Sequence, residues 1–159
     1  MAVICERCGC DDLKYFVLIR GVYQCRRCVQ YQGSEGQIHY YDEPVAYEMS
    51  YSLTDLQKSC SKQICEISQK KDVLVNAVCG AGKTELVLET IQYAIEHHQK
   101  VGIAVARRQV VLQLYERLSK MFNTIKVTRV CEGFTQDCEG HLIICTTHQL
   151  FRFHKSFDL

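Results

Sequence analysis

Beyond residue 70 the chain alternates short apolar runs with longer stretches whose apolar residues recur every three or four positions. Residues 72–77, 101–105 and 141–145 are the apolar runs, and these with the Val- and Ile-containing 125–130 are expected to form strands. Between them, residues 83–98 carry Leu86, Leu88, Ile91 and Ile95 at helical spacing, and residues 109–122 form a second amphipathic stretch. Residues 147–153 are expected to form a short helix. Strands alternating with helices of this length imply an α/β fold built on a parallel sheet. Upstream, a helix is expected from Thr54, with apolar Leu56, Cys60, Ile64 and Ile67 near helical spacing. Residues 31–52 lack a helical period and are rich in Tyr, Gln, Gly and Glu, so they are expected to form an extended linker with Tyr40, Tyr41, Tyr47 and Tyr51 partly packed. Residues 1–30 look like short strands between cysteine knuckles, with residues 15–19 as one strand. The expected organisation is a cysteine ribbon over 1–30, a linker over 31–52 and an α/β domain over 53–159.

Composition narrows the class. With 47% hydrophobic and 23% charged residues among 159, a packed domain is expected, and no run of about 18 apolar residues is available to span a bilayer. The N-terminus lacks a secretory layout, so a cytoplasmic protein is expected. The net charge of +1 neither favours nor excludes nucleic acid, which shifts attention to the local pairs Arg26-Arg27 and Arg107-Arg108.

Eleven cysteines are many for a reducing compartment, where clustered thiols point to metal rather than disulfides. Cys5 and Cys8 are separated by two residues, as are Cys25 and Cys28, with 16 residues between the pairs. Each pair can reach one ion from a tight knuckle, and two knuckles complete a tetrahedral Zn2+ shell of four sulfurs. Cys10 is a spare that could replace Cys8. Such a closed shell is structural, and it is expected to fold a module too small for its own core. Cys60, Cys65, Cys131, Cys138 and Cys145 are expected to be core or incidental thiols.

Residues 77–84, AVCGAGKT, stand between an apolar run and a helix pattern, the setting a phosphate-binding loop needs. Gly80 and Gly82, with Ala81 between them, let backbone N–H groups turn toward phosphate oxygens. Lys83 would reach the outer phosphates of ATP, and Thr84 would hold Mg2+. The first position of the usual pattern is Ala77 rather than glycine.

These residues, together with the entry Leu53-Thr54-x-x-Gln57 and the segment Thr146-Thr147-His148-Gln149-Leu150, resemble motifs of superfamily 2 helicases. With a four-cysteine module ahead of them, the set resembles the ComFA family, the late-competence DNA-uptake ATPases, over essentially the whole chain. The resemblance implies a zinc ribbon followed by an incomplete RecA-like sheet. It also implies that Gln57 recognises adenine and that Gly80, Gly82, Lys83 and Thr84 bind phosphate. Arg107, Thr146 and Thr147 would contact single-stranded DNA at its phosphates, without reading sequence. Val105-Ala106 and Gln109 depart from the family pattern around Arg107. The implied activity is ATP-driven movement along single-stranded DNA in natural transformation. The implied partners are ComFC and the membrane DNA-uptake channel, which would place the protein at the inner face of the membrane. Two alternatives stand beside it: a fragment of a PriA- or RecG-like helicase, and a non-catalytic zinc and nucleic-acid-binding module. Taken singly, Gln57 could be a solvated helix residue, Arg107-Arg108 a solvated helix start and Thr146-Thr147 a helix cap. The acidic Mg2+ motif and second motor domain of such ATPases do not follow residue 150 here, so this chain alone is expected to be inactive, as an N-terminal fragment.

Overall fold

The structure is a computed structural model that describes residues 3–6, 9–19, 21–25, 36–153 and 157–159. Its central sheet has three parallel strands, β4 (Val101–Val105), β7 (Leu142–Thr146) and β5 (Val127–Val130), in the order β4-β7-β5. Val101 pairs with Leu142 and Val127 also pairs with Leu142, so β7 is the middle strand. All five β7 residues are buried. Leu142 and Ile144 join the larger core, whereas Ile143 and Cys145 join a smaller one on the opposite face. This alternation explains the unbroken apolar run: successive side chains of a strand point to opposite faces, and here both faces are covered.

Helix α3 (Leu88–Glu96) and helix α4 (Arg108–Met121) supply the larger core with Leu88, Ile91, Ile95, Val111 and Leu118. The smaller core is closed by Phe153, in the 3-10 turn Thr147–Phe153, and by Ile38. The stretch 36–52 lies on the domain. Strand β3 (Gln37–Ile38) pairs in parallel with β6 (Glu139–Gly140), Val45 is 2% exposed in the larger core, and the Tyr47 ring lies 5.7 Å from that of Phe122.

Two expectations are corrected. Residues 72–77 form no strand; Leu74 is 96% exposed and Val78 77%. A strand needs a ladder partner, and none lies beside this segment among the described residues. A cavity of about 690 Å³, lined by Val73, Val75, Ile103 and Leu159, separates it from β4. The free edge of β4 is met instead by the end of the chain: Gly102 N–H donates to the Leu159 carbonyl at 2.9 Å, and Asp158 N–H to that of Lys100 at 2.8 Å. Next, the helix expected over 83–98 is two elements, α2 (Lys83–Leu86) and α3, joined at Val87. The Val87 N–H bonds to Thr84 three residues back at 3.3 Å, tightening the turn. The helix expected from Thr54 is α1 (Asp55–Ser68); it buries Ser61 and Cys65, half-buries Cys60 and Ile64, and leaves Leu56 75% and Ile67 39% exposed. The small Ser61 and Cys65 side chains allow close approach to α3, where the Cys65 thiol lies 3.9 Å from the Glu89 carbonyl.

At the N-terminus, β1 (Phe16–Ile19) and β2 (Val22–Cys25) form an antiparallel hairpin. The expected strand at 15–19 is thus present, less its first residue.

Phe122 is fully buried against both Tyr47 and the main core. Phe122→Ala is expected to cost about 3–5 kcal/mol, read as a lower urea midpoint with an unchanged denaturant slope.

Candidate nucleotide and nucleic-acid site

Thr54 and Gln57 start α1 with a capping box. The Thr54 hydroxyl accepts from the Gln57 N–H at 3.2 Å, and the Gln57 Oε1 accepts from the Thr54 N–H at 3.0 Å. The other half of the same amide serves the glycine-rich loop: Gln57 Nε2 donates to the Ala81 carbonyl at 3.1 Å. Gln57 is therefore not a free surface residue, because it links the helix start to the loop. Gly82 shows why the loop needs glycine. Its φ is +80°, and a Cβ there would come within 2.7 Å of Gln57 Nε2. Gly80 has φ +81° in open surroundings, with the exposed Cys79 just before it.

Lys83 folds over this loop, its ammonium donating to the Val78 carbonyl at 2.8 Å. A phosphate drawn to the loop N–H groups would compete for that ammonium. Lys83 and Thr84 both border the cavity beside β4. Because α2 is one turn long, the loop amides and Lys83, rather than a long helix dipole, must supply most of the anion attraction.

The residue after Thr84 was missed by sequence reasoning. Glu85 is 7% exposed and accepts hydrogen bonds from the Tyr51 hydroxyl and from Arg117 of α4; Arg117 also reaches the Tyr51 oxygen at 3.3 Å. Burial acts to raise the Glu85 pKa, but hydrogen bonds from Tyr51, the backbone and Arg117, with the Arg117 charge, hold it below its ordinary value. The only signal for this in sequence was a carboxylate inside an otherwise buried helix face.

The nucleic-acid candidates lie at the carboxyl ends of the parallel strands. Arg107 is the exposed residue between β4 and α4, in extended conformation, and its side chain makes no cap. Thr146 ends β7 but is 8% exposed, whereas Thr147, opening the 3-10 turn, is exposed. Of the two threonines, Thr147 is the exposed one. Arg108 donates to the Glu132 carbonyl at 2.9 Å, tying the start of α4 to the loop after β5. Strand order places β7 between those attachment points. Arg107, Thr147 and the loop after β5 thus share one edge, and α4 runs from that edge back to the phosphate-loop helix through Arg117.

Of the four cysteines read as zinc ligands, Cys8 and Cys28 lie outside the described residues, as do Arg26 and Arg27. Around Cys5 the chain turns back sharply: Gly9, at φ +66°, donates to the Cys5 carbonyl at 2.8 Å, and Cys5 donates to the Cys10 carbonyl at 2.8 Å. Cys25 ends β2 and is 6% exposed, and Cys10 is 4% exposed. Elsewhere, Cys65, Cys131, Cys138 and Cys145 are buried, and burial pushes the Cys145 thiol up to about 12. Among the described residues, no helix is long and apolar enough to cross a membrane.

Residues 50–158 match the family described as type III restriction enzyme, res subunit. The chain belongs to this family. It is also 32% identical over 172 residues to competence protein ComFA of Bacillus subtilis (strain 168), covering 98% of this chain and 37% of that protein. To competence protein ComFA of Streptococcus pneumoniae (strain ATCC BAA-255 / R6) it is 31% identical over 166 residues, covering 99% of this chain and 38% of the relative. The chain therefore spans under two-fifths of the length of these homologues. The family match covers the capping box, the glycine-rich loop, Arg107 and Thr146-Thr147, and the ComFA matches extend through the cysteine pairs as well.

Because its pKa is depressed in the folded state, Glu85 contributes stability that is present above its unfolded value near 4.5 and is lost as pH falls through the folded value. Glu85→Gln is expected to be less stable than the parent at pH 7, with the gap closing below pH 4.5, as read by urea denaturation across a pH series. A constant gap would show that the carboxylate charge is not what the network uses.

Proposed function

We propose that residues 1–159 form the front part of an ATP-dependent translocase for single-stranded DNA that acts in DNA uptake during natural transformation. The observation that carries this reading is the joining of Gln57 to the Lys83 loop in a family member whose exposed Arg107 and Thr147 lie along the carboxyl edge of the sheet. In this reading Gln57 recognises adenine, giving up its bond to Ala81 or sharing its amide. The N–H groups of Gly80, Ala81 and Gly82 cradle the phosphates, Lys83 neutralises them and Thr84 holds Mg2+. Arg107, Thr146 and Thr147 hold phosphates of the strand, with Thr146 acting through its backbone because its side chain is buried. Such contacts let the motor slide without regard to sequence.

The domain reading is a ribbon over 1–30, a connecting stretch over 31–52 and an incomplete RecA-like domain over 53–159. The ribbon would hold Zn2+ through Cys5, Cys8, Cys25 and Cys28. The tight reversal at Cys5–Cys10 and the buried Cys25 at the end of β2 suit paired thiolates. The ion would supply cross-linking alone. The protein would work in the cytoplasm at the inner face of the membrane, with ComFC and the DNA-uptake channel as partners. The homologues, named for competence, support that setting. In this reading hydrolysis requires an acidic metal ligand, an aligned water and a charge-stabilising second lobe acting together with the phosphate loop.

Single-stranded-DNA-stimulated ATP hydrolysis tests the reading when this chain is assayed beside a longer polypeptide carrying those parts. Turnover is expected only in the longer form, only with DNA, and is expected to vanish in Lys83→Ala. DNA-independent behaviour of both forms would remove the uptake assignment. For the ribbon, elemental analysis is expected to find one zinc per chain, lost in Cys25→Ser and kept in Cys10→Ser. Retention of zinc by Cys25→Ser would reject the ligand set.

A further inference from the structure

Among the described residues, a cation stands at the far end of the same edge without a counter-charge. Arg129, in edge strand β5, lies between two rings, its guanidinium carbon 3.8 Å from the Phe134 centroid and 4.4 Å from that of Tyr115 in α4. The rings hold the guanidinium in one orientation. None of its five N–H donors meets a carbonyl, hydroxyl or carboxylate among the described residues. The Phe134 side is fixed in turn: Cys131 and Phe134 exchange backbone hydrogen bonds of 3.2 and 2.8 Å around Gly133, whose φ is +81°. Arg108, bonded to the Glu132 carbonyl, places its own guanidinium 5.9 Å from the Phe134 ring. Arg129 borders an open cavity of about 570 Å³, together with Gly133, Thr135, Gln136 and Asp137. The carboxylate in that lining is already paired, since Asp137 lies 3.0 Å from the Lys126 ammonium.

We propose that Arg129, clamped between Tyr115 and Phe134 and joined by Arg108, is a phosphodiester-binding site that extends the single-stranded nucleic-acid path past Arg107 and Thr147 to the outer edge of the sheet. A guanidinium pays little ordering entropy on binding when its rotamer is already fixed, and its planar fork matches the two free oxygens of a phosphate. The buried face of Arg129 alone would be served equally well by an apolar side chain; what distinguishes arginine here is the set of N–H donors open to the cavity. Geometry favours a backbone contact over base reading, because both rings already have their faces turned to the guanidinium. The proposal rests on the nucleic-acid reading of the edge.

The test is anisotropy titration of a labelled oligo-dT over a salt series with the 159-residue chain, Arg129→Ala, Arg129→Met and Arg107→Ala. Methionine fills the slot between the rings without charge, so it separates binding from folding. Removing one phosphate contact from a single strand lowers the slope of log K against log salt by about 0.7. Arg129→Met is expected to keep the parental melting temperature, to weaken binding about 3–10-fold at low salt and to show that smaller slope; Arg129→Ala is expected to do the same. If Arg107→Ala loses slope and both Arg129 variants keep the parental slope, Arg129 is only a packing strut and the proposal fails while the edge reading stands. If the parent chain does not bind the oligonucleotide, the edge reading fails and the proposal with it. Saturable, Arg129-dependent binding of inorganic phosphate with an unchanged oligonucleotide slope would show an isolated anion site and also overturn the proposal.

Discussion

The buried carboxylate of Glu85 is the constraint around which the described part of the domain is organised. A carboxylate taken out of water must be matched by donors, and here they come from two distant parts of the chain, Tyr51 before α1 and Arg117 in α4. Losing Arg117 would leave the carboxylate without its counter-charge, a larger loss than that of a fully exposed ion pair. Glu85 follows Lys83 and Thr84 directly, so whatever holds Glu85 also sets the pitch of the phosphate loop. Arg117 sits on the helix whose first turn carries Arg108 and whose N-cap is Arg107. The nucleotide loop and the edge proposed to hold DNA are thus two ends of one braced element. Gln57 adds a second brace from the other side through Ala81.

The parallel sheet makes this arrangement possible. Parallel strands bring their carboxyl ends to one edge, and loops leaving that edge carry Arg107, Thr147 and the Cys131–Phe134 turn side by side. The chain before residue 54 contributes to the same body: Val45 and Tyr47 fill the larger core, Ile38 fills the smaller one and Tyr51 reaches Glu85. The stretch 72–78 stands apart. It carries the apolar residues of a strand, but the cavity between it and β4 leaves its backbone without a ladder. Leu159 and Asp158 occupy the β4 edge in that gap, as an added strand would begin to do.

Much of this was legible in the sequence, for definable reasons. β7 was readable because a strand buried on both faces gives an unbroken apolar run, and β4 and β5 because short segments rich in Val and Ile stand between helical stretches. α4 was readable to within one residue at each end, because its stripe of apolar residues faces a single core. Gly80 and Gly82 were readable because a phosphate loop needs left-handed positions there, and both have positive φ. What failed depended on partners that no local pattern reveals. Residues 72–77 have strand composition but no neighbouring strand among the described residues, and periodicity cannot report a neighbour. α1 leaves Leu56 and Ile67, the two ends of its apolar stripe, exposed, and buries the small Ser61 and Cys65 instead. Tyr51, Glu85, Arg117 and Arg129 looked like ordinary polar residues, since their importance comes from tertiary contacts, across 32 to 66 positions of sequence for the Glu85 network. Thr146 and Thr147 were read as equivalent, but the first ends a buried strand and only the second opens to solvent.

The most direct measurement is calorimetric titration of Mg2+ and a non-hydrolysable ATP analogue into the 159-residue chain and into Lys83→Ala. The account expects saturable one-to-one binding by the parent and at least about tenfold weaker binding by the variant, with both proteins melting at the same temperature. Equal affinity in the two proteins, or no binding by the parent, would contradict the claim that residues 77–84 are a phosphate cradle.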